Sequence, residues 1–295
     1  MSEWRSLEPG EPIGVVALSG PVDAVRLDSG VTALRSWSHP VELASNLRDR
    51  DGYLAGSDDA RLGGLEELLD RGVRTLIAAR GGYGATRLLD RLPWPRMRDE
   101  RVRLIGFSDL TALLNPLSSS AVQVHGPMAA AGLDRPGNAR RLHEVLIGRL
   151  VGETLFRVPP AAVVRHGRTS GIAVGGNLSL LLSLMGTPWQ PDFDDRVLFL
   201  EEVAEPPYRI DRMLTQLRGC GVLNRVSAVV CGRLHRCRPH ADCTERCIER
   251  LLESTGSSTP VLVGLPFGHG AVNLAFPIGA RVTVDTRRNR VLWSP

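Results

Sequence analysis

The chain has 295 residues, 43% of them hydrophobic and 23% charged, with a formal net charge of +4. Such a length predicts two domains with substantial cores, and the composition excludes disordered, collagenous and membrane-spanning classes. All 36 basic residues are arginines; they are scattered and interrupted by acids, so they do not form the basic stripe of a nucleic-acid binder, and neither nucleic acid nor a membrane is expected as a partner.

The polar start, Met1 to Gly10, and the short apolar run Ile13 to Leu18 do not fit a secretory signal. Five cysteines, bunched between Cys220 and Cys247, do not resemble a secreted disulfide framework. The expected location is therefore the cytoplasm.

In chain order, Ile13–Leu18 reads as a strand, and Ser19-Gly-Pro-Val-Asp23 as a turn that could cradle an anion. Val31–Trp37 reads as a short helix and Val41–Ser45 as a strand. Ser57 caps a helix whose apolar positions are Leu62, Leu65, Leu68 and Leu69, with Gly72 ending it. Val73–Ala79 is the next strand. Arg80-Gly-Gly-Tyr-Gly84 follows, with a helix expected over Ala85–Asp90. Glycines there permit positive φ and close approach, either for a tight turn or for free N–H groups aimed at an oxyanion. Arg80 and Tyr83 are not needed for a turn, which makes them candidates for substrate binding. Leu92–Pro95 reads as a loop.

Val102–Phe107 is a strand that breaks at Ser108-Asp109 before an apolar helical start, Leu110–Leu114. Two readings apply. The Ser-Asp pair caps a helix, or it is an elbow that lifts a nucleophilic hydroxyl out at the carboxyl end of a sheet. Val122–Met128 is a short strand, where His125 either packs or serves as a base. Alternating strands and helices up to about residue 130 predict a parallel, doubly wound sheet. Residues 134–167 carry the linker, giving an N-terminal α/β domain at 1–155 and a smaller β-rich α/β domain at 166–295. In the second, Val197–Leu200 is a strand delivering Glu201-Glu202, Tyr208–Leu217 is a helix, and Val226–Cys231 is a strand. Thr244–Leu252 is a helix, Phe267-Gly-His269-Gly270 is a glycine-rich turn, and residues 281–285 and 290–293 form a hairpin.

Ser108, an acid after a strand, and His269 lie in one of the chain orders known for a serine triad. The chemistry needs these types: an imidazole takes the serine proton and a carboxylate holds the imidazole's tautomer. Glu201 and Glu202 compete for the acid role. Backbone N–H groups at Asp109 and in the Gly81-Gly82 turn would hold the oxyanion. Cys231–Cys247 contains His235, Cys237, His240, Cys243 and Cys247, but no paired C-x-x-C spacing, so reduced cysteines are preferred to a structural zinc.

Several stretches together resemble the LD-carboxypeptidase family of serine peptidases, which includes muramoyltetrapeptide carboxypeptidases and microcin C self-immunity proteins. They are Ser19–Asp23, Gly52–Asp58, Ala79–Leu89, Gly106–Leu113, His125–Met128, Gly175–Leu178, Leu200–Arg212 and Leu265–His269, in family order over nearly the whole chain. The resemblance implies Ser108 as nucleophile, His269 as base and Glu201 as orienting acid. It also implies an oxyanion hole from the Gly82 region and the Asp109 backbone. It further implies two domains with the active site between them, commonly a homodimer, and no metal or organic cofactor. Phe107, Leu18 and Leu114-Asn-Pro116 depart from the pattern. The expected activity is hydrolysis of the L-diamino acid–D-Ala bond of cytoplasmic murein tetrapeptides. The alternatives are hydrolysis of peptidyl- or aminoacyl-nucleotide antibiotics by the same triad, or non-catalytic binding of murein peptides.

Overall fold

The computed structural model describes residues 4–237, 249–251 and 253–294. They fall into two compact units. The first runs to Arg149 and includes Val272–Ile278; the second holds Leu150–Ala271 and the chain from Gly279 onward.

The first unit is built on a six-stranded sheet. Its parallel strands are β1 (Ile13–Val16), β2 (Val41–Leu43), β3 (Thr75–Ala78), β4 (Arg103–Gly106) and β5 (Gln123–His125). An antiparallel edge strand, Phe276–Ile278, is the twelfth of the chain (β12) and pairs with β5. The order is β12-β5-β4-β3-β1-β2. β1, β3 and β4 are buried at every position, which is why they read as largely apolar runs, with the buried Thr75 and Arg103 at the starts of β3 and β4. The chain winds one way from β1 to β2 and the other way from β3 to β5. The strand order therefore reverses between β1 and β3, and ligands of open α/β sheets bind beyond the carboxyl ends of strands at such a switch point.

Helix α1 (Ala24–Arg35) is longer and earlier than the helix expected at 31–37. Asp23 caps it by accepting from Arg26 N, and Leu27, Gly30, Val31 and Leu34 form its buried face. Gly30 is required there, because an added Cβ would overlap the Ala129 carbonyl. Helix α2 (Asp58–Asp70) starts at the Ser57 cap as its sequence predicts. Residues 85–88 form only a short 3-10 turn. The loop expected at Leu92–Pro95 is in fact the start of α3 (Trp94–Asp99). Pro95 occupies the first helical turn, where a missing N–H breaks no intrahelical bond, and the Trp94 indole donates to Leu89 O at 2.6 Å. Helix α4 (Thr111–Leu117) ends one residue after Pro116, and α5 (Pro136–Leu146) completes the unit.

The second unit carries an eight-stranded mixed sheet. Its strands are β6 (Thr154–Arg157), β7 (Val163–Arg165), β8 (Arg168–Asn177), β9 (Val197–Val203), β10 (Ala228–His235), β11 (Val261–Leu262), β13 (Arg281–Asp285) and β14 (Arg290–Trp293). The order is β6-β14-β13-β8-β9-β10-β11-β7, with β8, β9, β10 and β11 parallel. β13 and β14 form the expected hairpin across a Thr286–Arg288 turn. Helices α6 (Leu178–Leu184), α7 (Pro207–Gly219) and α8 (Val222–Arg225) supply apolar residues to the core. Ile210, Leu214 and Leu217 of α7 pack there with Leu198, Leu200 and Val229 of the sheet.

Candidate active site

In the first unit the switch point gathers the loops after β1, β3 and β4. β4 ends at Gly106, and Phe107 continues in extended conformation. Ser108 then turns to φ +61°, and a 3-10 turn over Ser108–Leu110 runs into α4. A non-glycine residue in the left-handed region costs about 1–3 kcal/mol and persists only where the surroundings enforce it. A capping serine needs no such backbone, and the cap positions are Phe107 for the 3-10 turn and Leu110 for α4, neither making a side-chain capping bond. Gly106 has no room for a side chain: an added Cβ would lie 2.9 Å from Leu110 Cγ.

The loop after β3 lies against this elbow. A Cβ on Gly81 would sit 3.0 Å from Ser108 Cβ and 3.2 Å from Ser108 Oγ. Gly81 O accepts from Gly20 N at 3.2 Å, which joins the loop to the one after β1. Gly82 and Gly84 have φ of +123° and +127°, conformations that strongly favour glycine. The exposed Arg80 donates from Nη1 to Pro21 O at 3.0 Å. Tyr83 is exposed and packs edge-on against Tyr53, with ring centroids 5.6 Å apart. Arg80, Tyr83 and the elbow thus belong to one cluster of loops.

Asp109 is buried, and its carboxylate takes two hydrogen bonds on Oδ2, from Ser19 Oγ at 2.6 Å and from Ala85 N at 2.8 Å. Burial pushes its pKa above the usual carboxylate range, against the opposing pull of Ser19, Ala85 and the Arg61 charge. His125 is buried at the end of β5, stacked on Phe276 with centroids 4.8 Å apart, so it packs within the sheet layer.

In the second unit, His269 Nδ1 lies 2.7 Å from Glu201 Oε2, and His269 N donates to the same oxygen at 3.1 Å. Glu201 is fully buried within β9, which runs on to Val203 rather than ending before the glutamates, while the His269 ring is one-fifth exposed. With Nδ1 facing a carboxylate, the proton belongs on Nδ1 and the lone pair on Nε2, the tautomer of a general base. Gly268 makes the approach possible. Its φ is +86°, and an added Cβ would meet Glu201 Oε2 at 2.5 Å. Glu202 points into a different network. It accepts from Asn177 Nδ2 at 2.9 Å, from Ser179 N and Oγ at 2.8 and 2.7 Å, and from Val203 N at 2.8 Å. Alternation along β9 sends the two neighbouring carboxylates to opposite faces.

Among the described residues, no group of three or more His, Cys, Asp or Glu side chains could hold a metal. His240, Cys243 and Cys247 lie outside the described residues, as does most of the expected helix at 244–252. Cys231 is buried on β10, which pushes its thiol up to about 12 and makes it inert as a nucleophile at neutral pH. Among the described residues, no helix is long and apolar enough to cross a membrane.

Two residues that shape the elbow escape a reading of motifs. Ser19 is visible in sequence only as part of a turn, and Arg61 only as a helical arginine. Arg61 is fully buried, and its Nη1 donates to Leu18 O at 2.6 Å and Gly84 O at 2.9 Å. A lone arginine beside the leucine face of that helix is the one signal that could have found it.

The chain thus joins an α/β unit with a strained serine just after a strand to a β-rich unit in which a buried glutamate holds a partly exposed histidine. Residues 13–126 match the profile of the LD-carboxypeptidase N-terminal domain, and residues 170–284 that of the LD-carboxypeptidase C-terminal domain. The chain is 32% identical to the murein tetrapeptide carboxypeptidase of Pseudomonas aeruginosa, over 98% of this chain and 97% of that protein. It is 33% identical to a Bacillus subtilis protein named "Probable murein peptide carboxypeptidase", over 96% and 91% of the two chains. The fold matches the muramoyltetrapeptide carboxypeptidase of Oxalobacter formigenes with a TM-score of 0.80 and 27% identity, covering 95% and 97%. It also matches the microcin C7 self-immunity protein with a TM-score of 0.89 at 21% identity, covering 99% and 98%. The chain belongs to the LD-carboxypeptidase family.

Proposed function

We propose that the protein is a serine-type LD-carboxypeptidase in which Ser108 is the nucleophile, His269 the general base and Glu201 the residue that orients it. The observation that carries this reading is Ser108 at φ +61° between β4 and α4. His269 Nε2 takes the Ser108 Oγ proton as Oγ attacks the carbonyl carbon of the residue before the terminal D-amino acid. The resulting oxyanion is received by backbone N–H groups of Gly82 and Asp109. Collapse breaks the C–N bond, His269 hands the proton to the leaving amine, and D-alanine departs. Water, deprotonated by His269, then attacks the acyl-serine, and the proton returns to Oγ. No metal or organic cofactor enters this sequence of steps.

Arg80 and Tyr83 contact the substrate in this reading, the arginine supplying charge for the terminal carboxylate. The substrate class is the murein tetrapeptide, cleaved at the L-diamino acid–D-Ala bond. The two relatives quoted above, both named for murein peptides, support it. The setting is the cytoplasmic recycling of peptidoglycan, and the active form is a homodimer.

The test is release of free D-alanine from L-Ala-γ-D-Glu-meso-diaminopimelate-D-Ala by wild type and Ser108→Ala in parallel. Release by wild type and none by the variant is expected. Release that persists in Ser108→Ala overturns the nucleophile. No release by folded wild type overturns the murein substrate and directs the assay to aminoacyl-nucleotide conjugates.

A further inference from the structure

Two buried side chains of opposite charge grip the same peptide group. Arg61 Nη1 donates to the Gly84 carbonyl at 2.9 Å, and Asp109 Oδ2 accepts from the Ala85 N–H at 2.8 Å. The Gly84–Ala85 peptide is thus held by a cation at its oxygen and an anion at its nitrogen. The loop after β1 is held the same way: Leu18 O by Arg61 Nη1 at 2.6 Å and Ser19 Oγ by Asp109 Oδ2 at 2.6 Å. Arg61 also pairs with Asp58, which in turn takes Arg87 Nε at 3.0 Å and Nη2 at 2.9 Å. Gly84 must be glycine for this to work, since a Cβ there would meet Arg61 Nη1 at 2.6 Å.

Burying a guanidinium and a carboxylate is costly, and a strand-to-helix turn can be built without either. What the arrangement achieves is to lock two loops to the residue that follows Ser108. Asp109 carries the elbow's own N–H on its backbone and the anchor for the Gly81–Ala85 loop on its side chain. Movement of that loop and movement of the elbow are therefore coupled through one residue. We propose that Arg61 and Asp109 form a buried charge clamp that sets the position of the Gly82 N–H relative to Ser108 Oγ. Both act as positioning residues for transition-state stabilisation. This rests on the reading of Ser108 as nucleophile and Gly82 as an oxyanion donor.

The experiment measures kcat and KM for D-alanine release from the tetrapeptide, with thermal melts to establish folding. Asp109→Ala removes the one oxygen that accepts from both Ser19 and Ala85; kcat is expected to fall by about 10²-fold with KM within about twofold, the loss typical of one misplaced oxyanion donor. Asp109→Asn keeps an acceptor oxygen in place and is expected to recover at least about tenfold of that loss, since the geometry rather than the charge alone is read by the substrate. Arg61→Met combined with Asp109→Ala is expected to lose no more than the worse single variant, as members of one device do. A folded Asp109→Ala with unchanged kcat, or a loss wholly in KM, overturns the clamp. Should Asp109→Ala not fold, Ser19→Ala decides: it removes one of the two bonds to Asp109, and kcat is expected to drop by about fivefold at constant KM, an unchanged kcat overturning the proposal. Ser108→Ala is run beside them. Persistent release in that variant overturns the nucleophile reading itself, an outcome distinct from failure of the clamp.

Discussion

His269 is bound twice to one oxygen of Glu201, through Nδ1 at 2.7 Å and through its own backbone N–H at 3.1 Å. The backbone bond fixes the turn and the side-chain bond fixes the ring, so one buried carboxylate sets both the position and the tautomer of the imidazole. Glu201→Gln can present an amide donor to Nδ1 and so favour the wrong tautomer. We expect kcat to fall by about 10²–10⁴-fold with the melting temperature little changed. The check is kcat and a thermal melt on the same preparation. Equal activity in both proteins would remove Glu201 from the mechanism.

Gly268 is predicted to tolerate no side chain. At φ +86° an alanine is strained, and its Cβ would lie 2.5 Å from Glu201 Oε2 and 2.7 Å from Glu201 Cβ. Gly268→Ala should therefore destabilise the protein by about 1–3 kcal/mol and lower kcat, because the carboxylate that must move is the one holding His269. Kinetics and denaturant melts test the two effects separately.

Ser108 holds a strained backbone, and strain held for chemistry is released when the residue is changed to one that accepts it. Ser108→Gly is expected to raise the melting temperature by about 2–4 °C, from relief of about 1 kcal/mol, while abolishing activity. Ser108→Ala should lose activity without that gain. Equal melting temperatures for the two variants would mean that the elbow carries no strain.

Glu202 is expected to behave as a structural residue. It takes four hydrogen bonds from Asn177, Ser179 and Val203, so Glu202→Ala leaves several donors without their acceptor and should cost about 2–4 kcal/mol. Activity per folded molecule should stay within a few-fold of wild type. This contrast with Glu201→Gln separates two carboxylates that are adjacent in sequence.

Asp58 gives a pH-dependent contribution to stability. Its hydrogen bonds to Arg87 and then Arg61 outweigh partial burial and hold its pKa below the ordinary aspartate value. A depressed carboxylate stabilises the folded state above the unfolded pKa of about 3.9 and loses that contribution as pH falls through its folded pKa. Asp58→Asn should thus be less stable than wild type at pH 7, by about 1 kcal/mol, and the gap should close as pH drops below about 4. Urea melts of both proteins at pH 7, 5 and 3 measure it.

Much of this protein could be read from its residues alone. Buried parallel strands announce themselves as short apolar runs, as at Ile13–Val16 and Leu76–Ala78, and helix α2 announces its start at Ser57. Such signals are local, because propensity, capping and turn chemistry act over a few residues. Spaced motifs in family order were enough to identify the family and to nominate Ser108, Glu201 and His269. Without the family motifs the residues leave Glu201 and Glu202 equal, and the tertiary structure shows why they differ: Glu201 faces His269, a residue 68 positions away in a separate turn, because of the face of β9 it occupies. The same holds for the edge strand Phe276–Ile278, whose partner β5 lies far off in the sequence, and for Arg61 and Asp109. These two converge on the Gly84–Ala85 peptide from separate elements. Burial and long-range hydrogen bonding assign such roles, and neither leaves a pattern in the neighbouring residues.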